Sequence, residues 1–220
     1  MKKVMLLLGI MLVFSTKINA QELQRVPRTV ISVVKLNVVY RGLDNLIEIA
    51  IPSVPSNTII VTGNGLSKLS KDPFDNLYVV RPRQGRTMNI SVTGILPDGT
   101  KITSVNEFRI KDIPRPSGTV RGEIGRLKMS RQNLAISTVG ATIEDFDFDV
   151  NLIVKEFKIK IGSQPSISIQ GNKLNSDAKT LLLGANKGDL VQIYDMKSKL
   201  TNNAAYNLKK SRPVYIYLTN

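Results

Sequence analysis

Apolar residues in this chain recur in short runs with a period near two, and turn residues punctuate them every eight to twelve positions. Val30–Val34 leads through Lys35 to Leu36-Asn37-Val38-Val39-Tyr40, rich in β-branched side chains, and Leu46–Ile51 alternates until Pro52 stops it. Thr58–Val61, Leu77–Val80, Met88–Thr93, Lys101–Val105 and Glu107–Lys111 read as further short strands. Gly63-Asn64-Gly65 is a tight turn, and Pro97-Asp98-Gly99 predicts a hairpin, because Pro presets φ and Gly accepts a positive one. About seven such strands describe an immunoglobulin-like β-sandwich without the disulfide, over residues 30–113.

Ile113-Pro114-Arg115-Pro116-Ser117-Gly118 interrupts the pattern. Two prolines one residue apart hold the backbone extended and deny it ladder donors, so 114–118 is a stiff junction and 119–220 a second β-rich domain. Within it Phe146, Phe148, Val150 and Leu152 alternate with Asp145, Asp147, Asp149 and Asn151, which predicts a strand apolar on one face and acidic on the other. Phe157–Ile161 repeats the pattern with lysines outward, and pairing of the two would set acids against lysines. One short helix is expected between Asn175 and Gly188, capped by Ser176 or Asp177 and carrying Leu181, Leu182 and Ala185. Val214–Leu218 ends the chain as a strand, giving a β-sandwich-like domain with one short helix.

The first twenty residues depart from all of this. Lys2 and Lys3 precede an apolar run from Val4 to Phe14, and Ile18-Asn19-Ala20 reads as a cleavage site before Gln21. As a helix that run spans about 17 Å, well short of the ~30 Å hydrocarbon core of a bilayer. Residues 1–20 are therefore expected to be a cleaved signal peptide, 21–29 an N-terminal arm, and the mature protein exported, with no transmembrane anchor.

Composition then narrows the chemistry. The chain has no Cys and no His, which removes thiol nucleophiles, Cys–His zinc sites and the commonest general base together. No catalytic residues, cofactor or metal are expected. Without residues 1–20 the chain carries 28 basic and 17 acidic residues, a net of +11. An exported protein meets lipid phosphates, anionic glycans and acidic proteins, and with no Trp it is poorly supplied for stacking on nucleic acid, which is not expected as a partner. The basic residues are dispersed, as edge-protecting lysines are.

Three motifs are weighed and set aside. Asp145-x-Asp147-x-Asp149 with Glu156 imitates a calcium loop, but Val150 stands where that loop needs Gly. Ser32-x-x-Lys35 and Ser176-x-x-Lys179 match the Ser-x-x-Lys spacing of penicillin-recognising enzymes, without the companion elements. Asp44-Asn45 after Tyr40-Arg41-Gly42 fixes a particular turn between two strands.

Val39-Tyr40-Arg41-Gly42-Leu43-Asp44-Asn45, Phe108–Pro116 and Glu144–Val150, in that order and spacing, closely resemble the periplasmic C-terminal part of the GldM family, called PorM in some systems. The resemblance runs from about residue 30 to Asn220. Members belong to the gliding-motility and type IX secretion machinery of Bacteroidetes, so the resemblance implies a non-catalytic periplasmic adaptor that meets the lipoprotein ring of that apparatus, with a possible homodimer. This chain resembles the last two domains of the family's rod, with a signal peptide where the membrane helix would stand. The partner interface is expected in the second domain around Lys158, Lys160, Lys197, Lys199, Lys209 and Lys210, and 195–210 is expected to be largely loop. The alternative is a basic module for an anionic envelope glycan or lipid phosphate.

Overall fold

A computed structural model describes residues 37–73 and 75–220. The expected signal peptide, the arm, the Val30–Val34 strand and Ser32-x-x-Lys35 lie outside the described residues. The chain is mainly β, in tandem blocks of sheet.

Seven strands occupy 38–111: β1 Val38–Tyr40, β2 Asn45–Glu48, β3 Ile60–Gly63, β4 Leu66–Lys68, β5 Leu77–Val80, β6 Thr87–Ile95 and β7 Lys101–Lys111. They form two sheets, β1-β7-β6-β3 and β2-β5-β4, facing each other across Val39, Val54, Ile59, Val80, Met88, Ile90 and Val92. This is the immunoglobulin-like arrangement, with the first strand parallel to the last. The Pro97-Asp98-Gly99 hairpin forms as its residues dictate: Ile95 sits opposite Lys101, Gly99 takes φ +84°, and its N–H donates to Leu96 O at 2.9 Å. Lys101–Val105 and Glu107–Lys111 are one continuous strand, since Asn106 between them is paired and nothing there breaks the ladder. The Gly63-Asn64-Gly65 turn carries the chain from β3 in one sheet to β4 in the other.

Eight strands follow: β8 Ser117–Val120, β9 Glu123–Ile124, β10 Arg126–Met129, β11 Val139–Thr142, β12 Leu152–Ile161, β13 Ile167–Gln170, β14 Leu190–Leu200 and β15 Val214–Leu218. A five-stranded sheet, β10-β15-β14-β12-β13, carries a core that includes Phe157, Ile159, Ile193, Met196 and Ile216, all at most 1% exposed. A three-stranded sheet, β11-β8-β9, and two helices contribute Val120, Val139, Leu134, Ala178 and Leu182 to the same core.

Four details differ from the sequence reading. Phe146–Val150 is not a strand but a run of turn and bend, with Asp145 at φ +49°; the alternation sorted the side chains by burial but gave the backbone no ladder partner. The acids set against lysines are accordingly Glu156 and Asp195, not Asp145, Asp147 and Asp149. The expected helix is α2, Ser176–Leu183, but Asn175 caps it, its Oδ1 accepting from Ala178 N at 3.0 Å, and it stops at Gly184. A second helix, α1 Arg131–Ile136, was not anticipated, being too short to show a period; Ser130 caps it through Asn133 N. Residues 195–200, expected as loop, are the end of β14, because Met196, Ser198 and Leu200 alternate inward.

A third apolar cluster joins the two blocks. Leu43, Ile113 and Leu200 are buried in it, packed with Tyr40, Phe146, Phe148, Leu152, Tyr206 and others. Tyr40 meets Phe146 edge-on at 4.8 Å between ring centroids and Phe148 at 5.4 Å. The turn that precedes β2 is built to receive this contact. Asn45, 3% exposed, accepts from Tyr40 N at 2.7 Å and donates to Tyr40, Leu43 and Val80 carbonyls within 3.1 Å. Gly42 sits at φ +87° against the Tyr206 ring, where a Cβ would fall 2.7 Å from Cγ. Asn203 Nδ2 donates to Gly42 O at 3.0 Å, and Ile113 N–H donates to the Tyr206 hydroxyl at 3.2 Å.

Candidate functional site

The five-stranded sheet packs one face into the core and turns the other outward, the usual division for a sheet of mostly antiparallel pairs. On β15 the alternation is clean: Val214, Ile216 and Leu218 are buried, Tyr215 is half-buried and Tyr217 exposed. Cross-strand register then sets the outward neighbours. Arg126 of β10 pairs with Tyr215, Tyr215 with Gln192 of β14, and Gln192 with Lys160 of β12, so one row crosses four strands with a cation at each end. The next row places Lys128 beside Tyr217.

Two β-bulges reshape this face. Between Lys158↔Tyr194 and Glu156↔Lys197 the β14 strand carries an extra residue, Asp195, at φ +57°; between Val154↔Ser198 and Glu156↔Lys197 the extra residue is Lys155. A bulge re-aims side chains, and Asp is among the few residues that tolerate this φ. Tyr194 and Asp195 thus lie side by side off the core, and Asp195 accepts from Lys210 at 2.5 Å and faces Lys158 at 3.3 Å. The hydrogen bond from Lys210, followed by that from Lys158, holds the Asp195 carboxyl below the usual carboxylate range. Lys197 and Glu156 pair at 2.6 Å, which lowers the Glu156 carboxyl and raises the Lys197 ammonium. A shallow cavity of about 320 Å³ opens beside them, lined by Arg115, Tyr194, Asp195, Lys210 and Tyr215 among others.

The six lysines expected at an interface are therefore not equivalent. Lys158, Lys197 and Lys210 gather around Asp195 and Glu156, partly neutralised. Lys160 stands in the Tyr215 row, Lys199 opposite Ile153, and Lys209 exposed in the loop before β15. Arg126, Lys128, Tyr194 and Tyr215 complete the face and were not singled out from the sequence. The Val214–Leu218 alternation marked Tyr215 and Tyr217 as outward, but only the β10–β15 and β14–β15 pairings bring Arg126 and Gln192 to them. Among the described residues no group of His, Cys, Asp and Glu is arranged to hold a metal ion, and no helix is long and apolar enough to cross a membrane.

Residues 28–111 match the family model described as the GldM third domain, and residues 114–219 match the GldM C-terminal domain. The chain belongs to the GldM family. The two matches follow one another in that order over most of the chain, as the phrases around Tyr40, Ile113 and Phe146 implied. Comparison with curated proteins finds no match. Solved structures similar to this GldM-family chain include fibronectin(III)-like modules of Clostridium thermocellum CbhA, at 14% identity over 82% of this chain and 87% of that one, TM-score 0.24. The human desmocollin-1 ectodomain aligns at 13% identity over 82% of this chain and 38% of its own length, TM-score 0.24. The EC1-3 part of mouse clustered PcdhgC3 aligns at 14% identity over 84% and 66%, TM-score 0.23. Superpositions this loose say nothing about function.

Proposed function

We propose that this chain is a non-catalytic structural adaptor of the periplasm, exported by a cleaved signal peptide, that docks to components of the type IX secretion and gliding apparatus. The observation that carries the reading is the tandem match to the last two GldM domains, 28–111 then 114–219. In this reading 30–113 and 119–220 act as two modules about the 114–118 junction, and the chain contributes shape and contact rather than turnover. The cluster around Tyr40, Ile113 and Tyr206 supports it, since a docking element that transmits position needs its two blocks held in one orientation. The second block is the docking one: residues 114–220 carry 16 basic and 9 acidic side chains, against 9 and 7 in residues 37–113. The lysines at 158, 160, 197, 199, 209 and 210 lie in that block.

Affinity purification of the full chain from envelope extracts of its own host, followed by mass spectrometry, tests the reading. Co-recovery of the ring lipoprotein of the apparatus is expected. Recovery of no secretion or gliding component overturns it. Light scattering of the mature protein decides whether it docks as a homodimer.

A further inference from the structure

We propose that the outward face of the five-stranded sheet, centred on Tyr215 and flanked by Arg126, Lys128 and Lys160, is the docking surface of this chain and that its occupant is an acidic protein surface. The proposal rests on the adaptor reading above and adds to it the face and the chemistry of the partner.

The charge pattern fixes the sign of that partner. Arg126, Lys128 and Lys160 carry no ion pair among the described residues, while the acid nearest them on this face, Asp195, is already shared by Lys158 and Lys210. What remains facing outward is cationic on both sides of the tyrosines. A complementary surface must bring carboxylates to the two flanks.

The tyrosines fix the class of partner. Tyr194 and Tyr215 are half-buried and lie flat on the sheet, with Tyr217 at 40% exposure beside them. Tyr and Arg are the residue types enriched at protein interfaces and at their energetic centres. A lipid surface is met by protruding cations and inserting apolar side chains, and this face has no protruding apolar group. A sugar chain needs free acceptors for its hydroxyls, and here the one carboxylate at the centre is taken by two lysines. The five strands, at about 3.3 Å per residue and 4.8 Å apart, give a projected area on the order of 500 Å², and side chains standing off it bring the face near the ~800 Å² per partner of a specific complex.

The test places a photo-crosslinking residue in the full chain in living cells, as Tyr215→benzoylphenylalanine, with Ser91→benzoylphenylalanine on the first block's sheet as the comparison. A protein adduct at Tyr215 is expected. The protein so identified is then purified and its affinity measured for the unsubstituted chain and for the double variant Arg126→Glu, Lys160→Glu. Loss of about tenfold or more in affinity is expected, with the melting midpoint of the variant unchanged because both positions are exposed. Adducts at Ser91 alone overturn the proposal and leave the adaptor reading standing. A lipid or glycan adduct at Tyr215 overturns it in favour of an anionic envelope ligand. Affinity indifferent to the charge reversal overturns the acidic-partner claim. Absence of adducts at both positions overturns the face, and the adaptor reading falls with it only if affinity purification is also empty.

Discussion

The two blocks of this chain solve the same problem with different means. Residues 37–111 form a sandwich whose core is small and whose lining is partly open, with Ile47, Ile49, Val61, Phe108 and Ile110 only half-buried around seven buried side chains. Residues 117–218 enclose a larger continuous core with one face of a five-stranded sheet, and leave the other face free for charge and tyrosine. Stability concentrated on one side of a sheet frees the opposite side from any structural duty. The second block can therefore carry the excess of cations, which the first could not do without exposing its thinner core to more repulsion.

That difference predicts the largest effect. Phe157, 1% exposed, lies in the middle of the second core, and Phe157→Ala should cost about 3–5 kcal/mol in urea unfolding. Ile90→Ala in the first core should cost less, about 2–3 kcal/mol, because its half-open surroundings can relax into the space. Equal losses at the two sites would show that the cores are comparably packed and would remove the contrast.

The seam between the blocks comes next. A Cβ on Gly42 would both strain a residue at φ +87° and press on the Tyr206 ring, so Gly42→Ala should cost about 2–4 kcal/mol. Its sharper consequence is in the form of the transition. With the Tyr40, Ile113 and Tyr206 contacts intact, calorimetry should give one endotherm; with Gly42→Ala it should give two, the first block melting earlier. A single sharp endotherm in the variant would mean that the seam does not couple the blocks.

How much of this was legible in the sequence follows from where the information sits. Period-two runs bounded by Gly and Pro showed Leu77–Val80 and the 88–105 hairpin, because each is specified by its own residues. The Tyr40–Asn45 turn was recognised as specific, yet the reason for its glycine lies 164 positions away at Tyr206, beyond any local pattern. Phe146 and Phe148 were correctly sorted to one side and wrongly assigned to a strand, since alternation reports burial and is silent about ladder partners. The lysines were found by type alone. Their division into paired and unpaired sets depends on the bulge at Asp195, which no spacing in Ile193–Lys199 announces.

A smaller effect separates the seam from the rest at high pH. Burial raises the Tyr206 hydroxyl above its ordinary 10.0, with the Ile113 N–H pulling the other way. The folded state thus favours the neutral phenol. Its contribution is complete below pH 10 and is lost as pH rises through the raised folded value, because the unfolded chain ionises first. Tyr206→Phe should flatten this alkaline loss relative to the unsubstituted chain, while costing about 1 kcal/mol at neutral pH for the acceptor that Ile113 loses. Identical alkaline slopes in the two proteins would place the titrating group elsewhere.

The smallest effect on stability belongs to the face argued to do the docking. Asp195 is held below the usual carboxylate range by Lys210 and then Lys158, so its contribution is present above about pH 3.8 and is lost as pH falls through the lower folded value. Both lysines are about half exposed, and such pairs add little to folding. Asp195→Asn keeps a residue that accepts φ +57°, so it removes the charge without removing the bulge. The melting midpoint should move by no more than about 2 °C, and the shift should vanish in 1 M salt, where the Debye length falls to about 3 Å. The same substitution frees Lys158 and Lys210 toward solvent, making the face more cationic. Affinity for an acidic partner should then rise while stability stays level, and a fall in both would mean that Asp195 serves the fold of β14 rather than the balance of charge on its outer surface.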